Sequence, residues 1–561
     1  MTTPAATVPR GIATRETHDP GGTDAAAAGR AFDPVDLEIA RNRLESIAEE
    51  VGMTLIRTAY SPNIKDRRDC SAGIYDPHGE LIAQAEHIPL HLGLMPILIK
   101  KVLGSIDRAD LRPGDVLITN DPYLGGSHLP DTCLITPVFI DAVIVAIVAN
   151  MAHHVDVGGI TPGSMATHAS EIFQEGIRIP PVKLIAADEV SSDVLSLLIT
   201  NVRTADKTRG DVMAQVAANR LGVRRVTELI EEWGVAHFQA ASAALIEYAE
   251  RRTRAAISQL PDGEGRFADY LEHTGVEPRD IPIVARIRKS GSQITMDLSE
   301  TADQVDGAVN CSYAIAQACA AYVVKTLTDP TLPSNAGLMK PITVITRPGS
   351  VVAAQFPAPV ANGNTQTAQR IVDALFGAFE QIAPGRVPAA SSGSMSIMTI
   401  GGRDPTTGRY FSYVETYGGG QGALPDMDGA HAVHAHMTNT RNTPCEVIER
   451  EYPLRVERYA IARGTGGAGR FHGGDGLIRE ITLTRGQADA VVATARVSRS
   501  PWGLNGGQPG KNAKLEMTQG GRRVPLPAMA RALLRSGDSL TIQTAGGGGY
   551  GDPGSREVAG R

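Results

Sequence analysis

The chain changes character near residue 260, and no other feature constrains its fold as much. Upstream, apolar residues recur at three- and four-residue steps over long stretches. Beyond Pro261, glycine and proline break up short β-prone runs such as Ile283 to Ile287 and Gln293 to Leu298. A chain of 561 residues is also too long for one compact core. The expected fold is α+β with two lobes. Residues 33–260 read as a mixed helical and β-hairpin lobe, and residues 261–561 as a glycine-rich, β-rich lobe with helices at Ala314 to Leu327 and Thr367 to Gln381. Residues 1–32, rich in Ala, Gly, Thr and Pro and lacking an apolar run, read as a loose tail.

Order begins at Asp33-Pro34-Val35-Asp36, where Asp33 suits a helix cap, Pro34 the first turn, and Asp36 the positive end of the helix. Leu37, Ala40, Leu44, Ile47, Ala48, Val51 and Leu55 then form one apolar stripe, read as core. Cys133 to Ile140 and Val143 to Met151 are β-branched and apolar, separated by Asp141-Ala142, which predicts an antiparallel hairpin. Two long helices are expected at about 210–233 and 235–260.

A net charge of -7 offers nothing to attract nucleic acid or an anionic membrane, so small metabolites or protein partners fit better. The five cysteines are scattered and form no Cys-x-x-Cys pair, which points to a reducing cytoplasm and away from a disulfide framework or zinc ribbon. The longest strongly apolar stretch, Ala142 to Ala152, is far short of the roughly 20 residues that cross a bilayer.

Seven of the 14 histidines fall between His78 and His168, several beside aspartates. The densest cluster runs from Asn120 to Asp131 and continues at His153-His154-Val155-Asp156. A turn at Asp141 sets Asp131 opposite Met151 and Leu129 opposite His153, so His128, Asp131 and one of His153 or His154 converge. Adjacent strand residues face opposite ways, so one histidine of the pair binds, and His153 is the choice. Asp69 is a candidate fourth ligand. Imidazole and carboxylate without thiolate suit Zn, Mn or Fe(II). Capped loops and core-edge polar residues would produce the same spacing without any metal.

Other signals are weaker. Gly464 to Gly469 fits G-x-G-x-x-G but has no helix to follow it, and it reads as a turn, as do Asn362-Gly363-Asn364 and Gly418 to Gly422. His431, His434 and His436 are candidates for a second metal site or for the border of a substrate cleft or partner interface. Gly506 to Asn512 lacks the spacing and the Ser/Thr of a nucleotide-binding P-loop.

The chain resembles the hydantoinase B/oxoprolinase family, which includes N-methylhydantoinase B, caprolactamase β subunits and the large subunits of acetone and acetophenone carboxylases. The resemblance rests on Ser61 to Asp69, Asn120 to Tyr123, His128 to Asp131, Ala152 to Gly159, Glu175 to Pro181, Asn201 to Arg203, Arg209 to Asp211, Gly418 to Ala423, His434 to Pro444 and Gly546 to Pro553. It implies one divalent metal held by His128, Asp131 and His153, with Asp69 a plausible addition. It also implies ATP and Mg used by a hydantoinase A-type ATP-binding subunit, in a hetero-oligomer of α2β2 kind or larger. The small substrate would be a hydantoin, lactam or 5-oxoproline ring, activated by the partner and opened here by a metal-activated water. Asp66 or Asp121 would relay its proton and Arg67 would hold phosphate, although all three also suit a loop ion pair or turn cap. The alternatives are a subunit of an ATP-dependent ketone carboxylase and a non-catalytic subunit stapled by its metal.

Overall fold

The computed structural model describes residues 32–85 and 87–556, so all but the last residue of the expected tail lies outside it. Helix α1 (Pro34–Thr58) starts as its sequence dictates, with the Asp33 side chain accepting from Val35 N at 2.8 Å and proline in the first turn. Its apolar stripe, Leu37 through Leu55, is buried as expected.

A short helix α2 (Pro62–Lys65) leads to strands β1 (Cys70–Tyr75) and β2 (Leu81–Gln84), then helix α3 (Pro89–Ser105). Strands β3 (Val116–Thr119), β4 (Asp131–Ile140), β5 (Val143–His153), β6 (Val182–Ala186) and β7 (Glu189–Val190) complete a seven-stranded antiparallel sheet, ordered β2-β1-β5-β4-β3-β6-β7. The central pair is the expected hairpin. Helices α4 (Ser192–Thr200), α5 (Ala205–Trp233) and α6 (Val235–Ser258) follow.

Both faces of this sheet are covered, which is why β4 and β5 are apolar almost throughout. On one face Ala72, Ile74 and Val148 pack against Leu44 and Val51 of α1 and Ala214 and Ala218 of α5. A Cβ at Gly222 of α5 would stand 2.7 Å from both Val148 and Val51, so glycine is what lets α5 sit this close. On the other face Tyr75, Ile147 and Met151 pack under α3.

Beyond residue 260 come β8 (Gly263–His273), β9 (Pro278–Ser290), β10 (Gln293–Asp297), α7 (Tyr313–Leu327), β11 (Ile342–Ile345) and α8 (Ala368–Glu380). The four strands form a sheet ordered β11-β10-β9-β8, mixed because β10 and β11 run parallel. Strands β12 (Ser396–Arg403) and β13 (Tyr410–Tyr417) precede helix α9 (Cys445–Glu451). Then come β14 (Leu454–Ala462), β15 (Gly476–Leu483), β16 (Gln487–Ala493), β17 (Lys514–Gln519), β18 (Arg522–Leu526), β19 (Met529–Arg535) and β20 (Ser539–Gln543). They make a four-stranded sheet β13-β12-β16-β19 and a five-stranded sheet β14-β15-β20-β17-β18. The chain is thus mixed helix and sheet, as expected.

The change of texture near residue 260 does not interrupt the largest core, which joins Leu94, Ile135 and Met151 to Ile283, Val323 and Phe376. Helix α3 meets α7 so closely that a Cβ at Gly93 would lie 2.4 Å from that of Ala318.

The glycine-rich runs read as turns do something else. Segments 418–423, 464–476, 503–510 and 544–550 run outside the named strands for most of their length and hydrogen-bond backbone to backbone. Examples are Gly420 N to Ala545 O (3.0 Å), Gly474 N to Gln421 O (2.8 Å), Gly547 N to Gly474 O (2.8 Å) and Gly467 N to Gly547 O (2.9 Å). A Cβ at Gly420, Gly474 or Gly547 would come within 1.9–2.1 Å of a neighbouring carbonyl oxygen. At these glycine positions the segments meet as bare backbone, where no larger residue would fit.

Candidate metal centre

The hairpin delivers the site through its register. The turn at Asp141 and Ala142 uses positive φ at both residues (47° and 65°), and Ile140 pairs with Val143. An irregularity at Val138/Phe139 leaves Val145 unmatched, so the ladder slips by one and Asp131 pairs with His153. The expected pairing of Asp131 with Met151 is two residues out: the two-residue turn at Asp141 and Ala142 accounts for one, and this bulge, which spacing alone does not reveal, for the other. Directly opposed residues point to the same face, so the slip aims Asp131 and His153 at one point. His154 points the other way, its Nε2 lying 2.9 Å from Gln215 Oε1 on α5.

His128 arrives from the loop before β4. Among the described residues, His128, Asp131 and His153 are all buried and offer ligand atoms within 4.8 Å of one another. His128 Nε2 lies 3.3 Å from Asp131 Oδ2, and the two histidine rings are 5.0 Å apart at their centres. His128 Nδ1 donates to the carbonyl oxygen of Ala361 at 3.0 Å, and His153 N donates to that of Asp69 at 3.0 Å. The Asn364 amide stands 3.2 Å from His128 Nε2, and that of Asn63 3.3 Å from His153 Nδ1. The Ser127 hydroxyl donates to Asp131 Oδ2.

Burial would raise the Asp131 carboxyl, but the imidazoles of His91 and His128 hold it well below the usual range. Burial lowers both imidazoles, yet Asp131 leaves each raised. His153 is different: burial takes it down to about 4, against the opposing pull of Asp69. Its neutral ring is the form a metal ligand needs.

The residues fit a divalent ion. Ligand atoms about 2.1 Å from a tetrahedral metal stand about 3.4 Å apart, which matches the His128 to Asp131 separation. Asp131 Oδ1 is buried and accepts no well-aligned hydrogen bond, although His91 Nε2 stands 3.3 Å away. Two imidazoles and a carboxylate without thiolate suit Zn, Mn or Fe(II). The enclosed cavity measures about 30 Å³, enough for about one water, and Arg67, Asp69, His91, Thr416 and Thr440 also line it. A two-ply wall separates it from an outer cleft of about 720 Å³ between α3 and α7. Ile88, Leu90 and Thr438 face the cavity while His87, Pro89 and Asn439 face the cleft, and Asn439 Nδ2 donates to His87 O at 3.0 Å.

The other sequence candidates divide. Asp69 lines the cavity beside the triad, its Oδ2 3.5 Å from Arg67 Nη2. Arg67 is buried and directs its N–H groups to Asn63 Oδ1 (3.1 Å), Val414 O (2.9 Å) and Thr416 Oγ1 (3.0 Å). Asp66 and Asp121 are not among the lining residues. Asp121 caps the turn at Tyr123 N (2.9 Å) and stands 3.8 Å from Arg178, while Asp66 ends α2, its carboxyl raised by burial. His431, His434 and His436 face separate partners: Asp475, Thr440 and the pair Asp373 and Tyr322.

Sequence reasoning missed His91, which α3 brings against Asp131. It stands in an apolar stretch, Ile88-Pro89-Leu90-His91-Leu92, where a lone polar residue among apolar ones was the available signal. Asn63 and Asn364 were missed too, because nothing local marks an amide that meets its partner across the fold.

A profile of the hydantoinase B/oxoprolinase family matches residues 33–553. The chain is 39% identical over 529 residues to an uncharacterized protein of Methanocaldococcus jannaschii, covering 94% of this chain and 92% of that one. It is 35% identical over 560 residues to 5-oxoprolinase 1 of Arabidopsis thaliana, covering 95% of this chain but only 43% of that longer protein. It is 33% identical over 547 residues to a protein named as the B component of a D-/L-hydantoinase from a Pseudomonas strain, covering 94% and 91%. The ATP-dependent caprolactamase of Pseudomonas jessenii superimposes with a TM-score of 0.87 at 29% identity, covering 94% of this chain and 93% of that one. An acetone carboxylase in nucleotide-free form shares the fold, with a TM-score of 0.87 at 18% identity over 94% and 76% of the two chains. Matched along nearly its whole described length, this chain belongs to the hydantoinase B/oxoprolinase family.

Proposed function

We propose that this chain is the ring-opening subunit of an ATP-dependent cyclic amidohydrolase, acting on a hydantoin, lactam or 5-oxoproline ring with a hydantoinase A-type partner that uses ATP and Mg. The observation that carries this reading is the convergence of His128, Asp131 and His153 in a buried cavity, together with the family to which the chain belongs. These three would hold a divalent Zn, Mn or Fe ion, which when bound polarises a carbonyl and lowers the pKa of water.

The remaining roles belong to the chain itself. His91 braces Asp131, and the Asn63 and Asn364 amides stand against ring nitrogens of the two ligand histidines; the Asn364 N–H on His128 Nε2 would give way to the ion. Asp69 is the carboxylate placed to complete the ligand set or to take a proton from the attacking water, since Asp66 and Asp121 lie off the cavity. Arg67, held by Asn63, Val414 and Thr416 and 3.5 Å from Asp69, positions Asp69 and still lines the cavity where a phosphate would sit. The cavity is small and lined by buried residues, which limits how much water accompanies the reacting ring.

The test is to co-purify the chain with its ATP-binding partner and offer hydantoin, 5-oxoproline and a simple lactam with and without ATP. Ring opening that needs both ATP and Asp131 is the expected result. Labelled bicarbonate appearing in a carboxylated ketone, with no ring opened, would transfer the protein to the ketone-carboxylase reading.

A further inference from the structure

We propose that Glu175, which touches none of the candidate ligands, positions His128 through the turn at residues 360–361 and so sets how tightly the site holds its ion. The inference rests on the metal reading of the site.

Two glycine motifs fix the backbone on either side of this carboxylate. Beyond His153 the chain runs through Val157-Gly158-Gly159 and crosses the segment Gln174-Glu175-Gly176. Ile177 N donates to Val157 O and Ile160 N to Gln174 O, each at 2.8 Å. A Cβ at Gly159 would lie 2.5 Å from the Glu175 carbonyl, and one at Gly176 would lie 2.6 Å from Val157 O. Gly159 and Gly176 also hold φ of +80° and +148°. The backbone of Glu175 is thereby locked to the continuation of the strand that carries His153.

From there the side chain is fully buried and reaches the backbone at Val360 and Ala361. One carboxyl oxygen accepts from two successive backbone groups, Val360 N at 2.7 Å and Ala361 N at 2.8 Å. The carbonyl of that same Ala361 accepts from His128 Nδ1 at 3.0 Å. A carbonyl only accepts, so Nδ1 must carry the proton. In the neutral ring the lone pair is then on Nε2, the nitrogen 3.3 Å from Asp131. Without the carboxyl, two buried N–H groups lose their acceptor, and the turn would shift to find others. Any such shift moves the acceptor that fixes the His128 tautomer.

Glu175 could instead be a plug in a small apolar cluster, and the two roles separate experimentally. The full chain would be prepared metal-free, and Mn or Zn affinity measured by chelator competition for wild type, Glu175→Ala, Glu175→Asp and Glu175→Gln. Thermal unfolding would be recorded with and without the ion. Positioning requires Glu175→Ala to bind about 10–100-fold more weakly, as removal of a group that orients a ligand does. Glu175→Asp, one methylene too short to reach both N–H groups, should also bind weakly while keeping its fold. Glu175→Gln, which keeps the accepting oxygen in place, should stay within about threefold of wild type, well short of the loss that follows removal of an orienting group. Glu175→Asp or Glu175→Ala binding as tightly as wild type, whatever its melting temperature, would overturn the inference alone. Wild-type protein that takes up no ion would overturn it together with the reading beneath it.

Discussion

Arg496 grips Asp269 in the interior of the protein, Nη1 to Oδ1 at 3.0 Å and Nη2 to Oδ2 at 2.7 Å, with both side chains almost wholly buried. The same guanidinium reaches Asp373 Oδ2 on α8 at 2.8 Å, and Asp373 meets His436 Nε2 at 3.4 Å. Arg370 Nη1 adds a second cation 3.3 Å from Asp269 Oδ1. The cluster ties β8 and α8 to the segment that forms the wall of the metal cavity.

Removing one partner of such a cluster leaves a buried charge uncompensated. Asp269→Asn should lower unfolding free energy by about 3–5 kcal/mol in urea titrations. Burial would raise the Asp269 carboxyl, but Arg496 and Arg370 hold it well below the usual range. A depressed acid contributes stability above its unfolded pKa and loses it as pH falls through the folded one. The wild-type protein should therefore lose more stability than the variant below about pH 4. Equal acid sensitivity of the two proteins would contradict the assignment.

Gly420→Ala should be among the most damaging small substitutions in the chain. Its methyl would lie 2.1 Å from Gly474 O and 2.2 Å from Gly547 N, both backbone atoms with their own hydrogen bonds to keep. A loss of about 3 kcal/mol or failure to express in soluble form is expected. Wild-type stability would show that the glycine layer is looser than its geometry.

Glu175 predicts a pH dependence of the opposite sign. Burial raises its carboxyl from 4.5 to about 8, while Val360 N and Ala361 N pull against that rise. Between those values the folded protein keeps a proton that the unfolded chain gives up. Stability should then fall with rising pH by about 1.4 kcal/mol per unit from this group. In Glu175→Gln that slope disappears, so the variant gains on wild type between pH 5 and pH 8. Parallel stability curves for the two proteins would count against the buried carboxyl.

Much of this is legible in the sequence. Periodicity places α1, and the cap at Asp33 places its start, because both are local effects. The hairpin is legible from two β-branched runs, and His128, Asp131 and His153 from their density around it. Its register is not, since a bulge at Val138/Phe139 is set by packing on both faces of the sheet and leaves no local mark. The choice of His153 over His154 follows from strand alternation, and the bulge determines what His153 faces. His91 and Glu175 escape notice because each acts on the site across the fold, one from a helix in an apolar stretch and one through a turn 185 residues away. The glycine runs read as turns because composition reports flexibility and not the close packing of bare backbones.

Metal content of the purified chain, wild type against His153→Ala and His154→Ala, bears most directly on the site. These adjacent residues differ only in the face they present, one toward Asp131 and the other toward Gln215. Wild type and His154→Ala should each carry one divalent ion per folded chain, and His153→Ala less than about a tenth of that at limiting metal. An ion retained by His153→Ala and lost by His154→Ala, or equal content in all three, would contradict the site described.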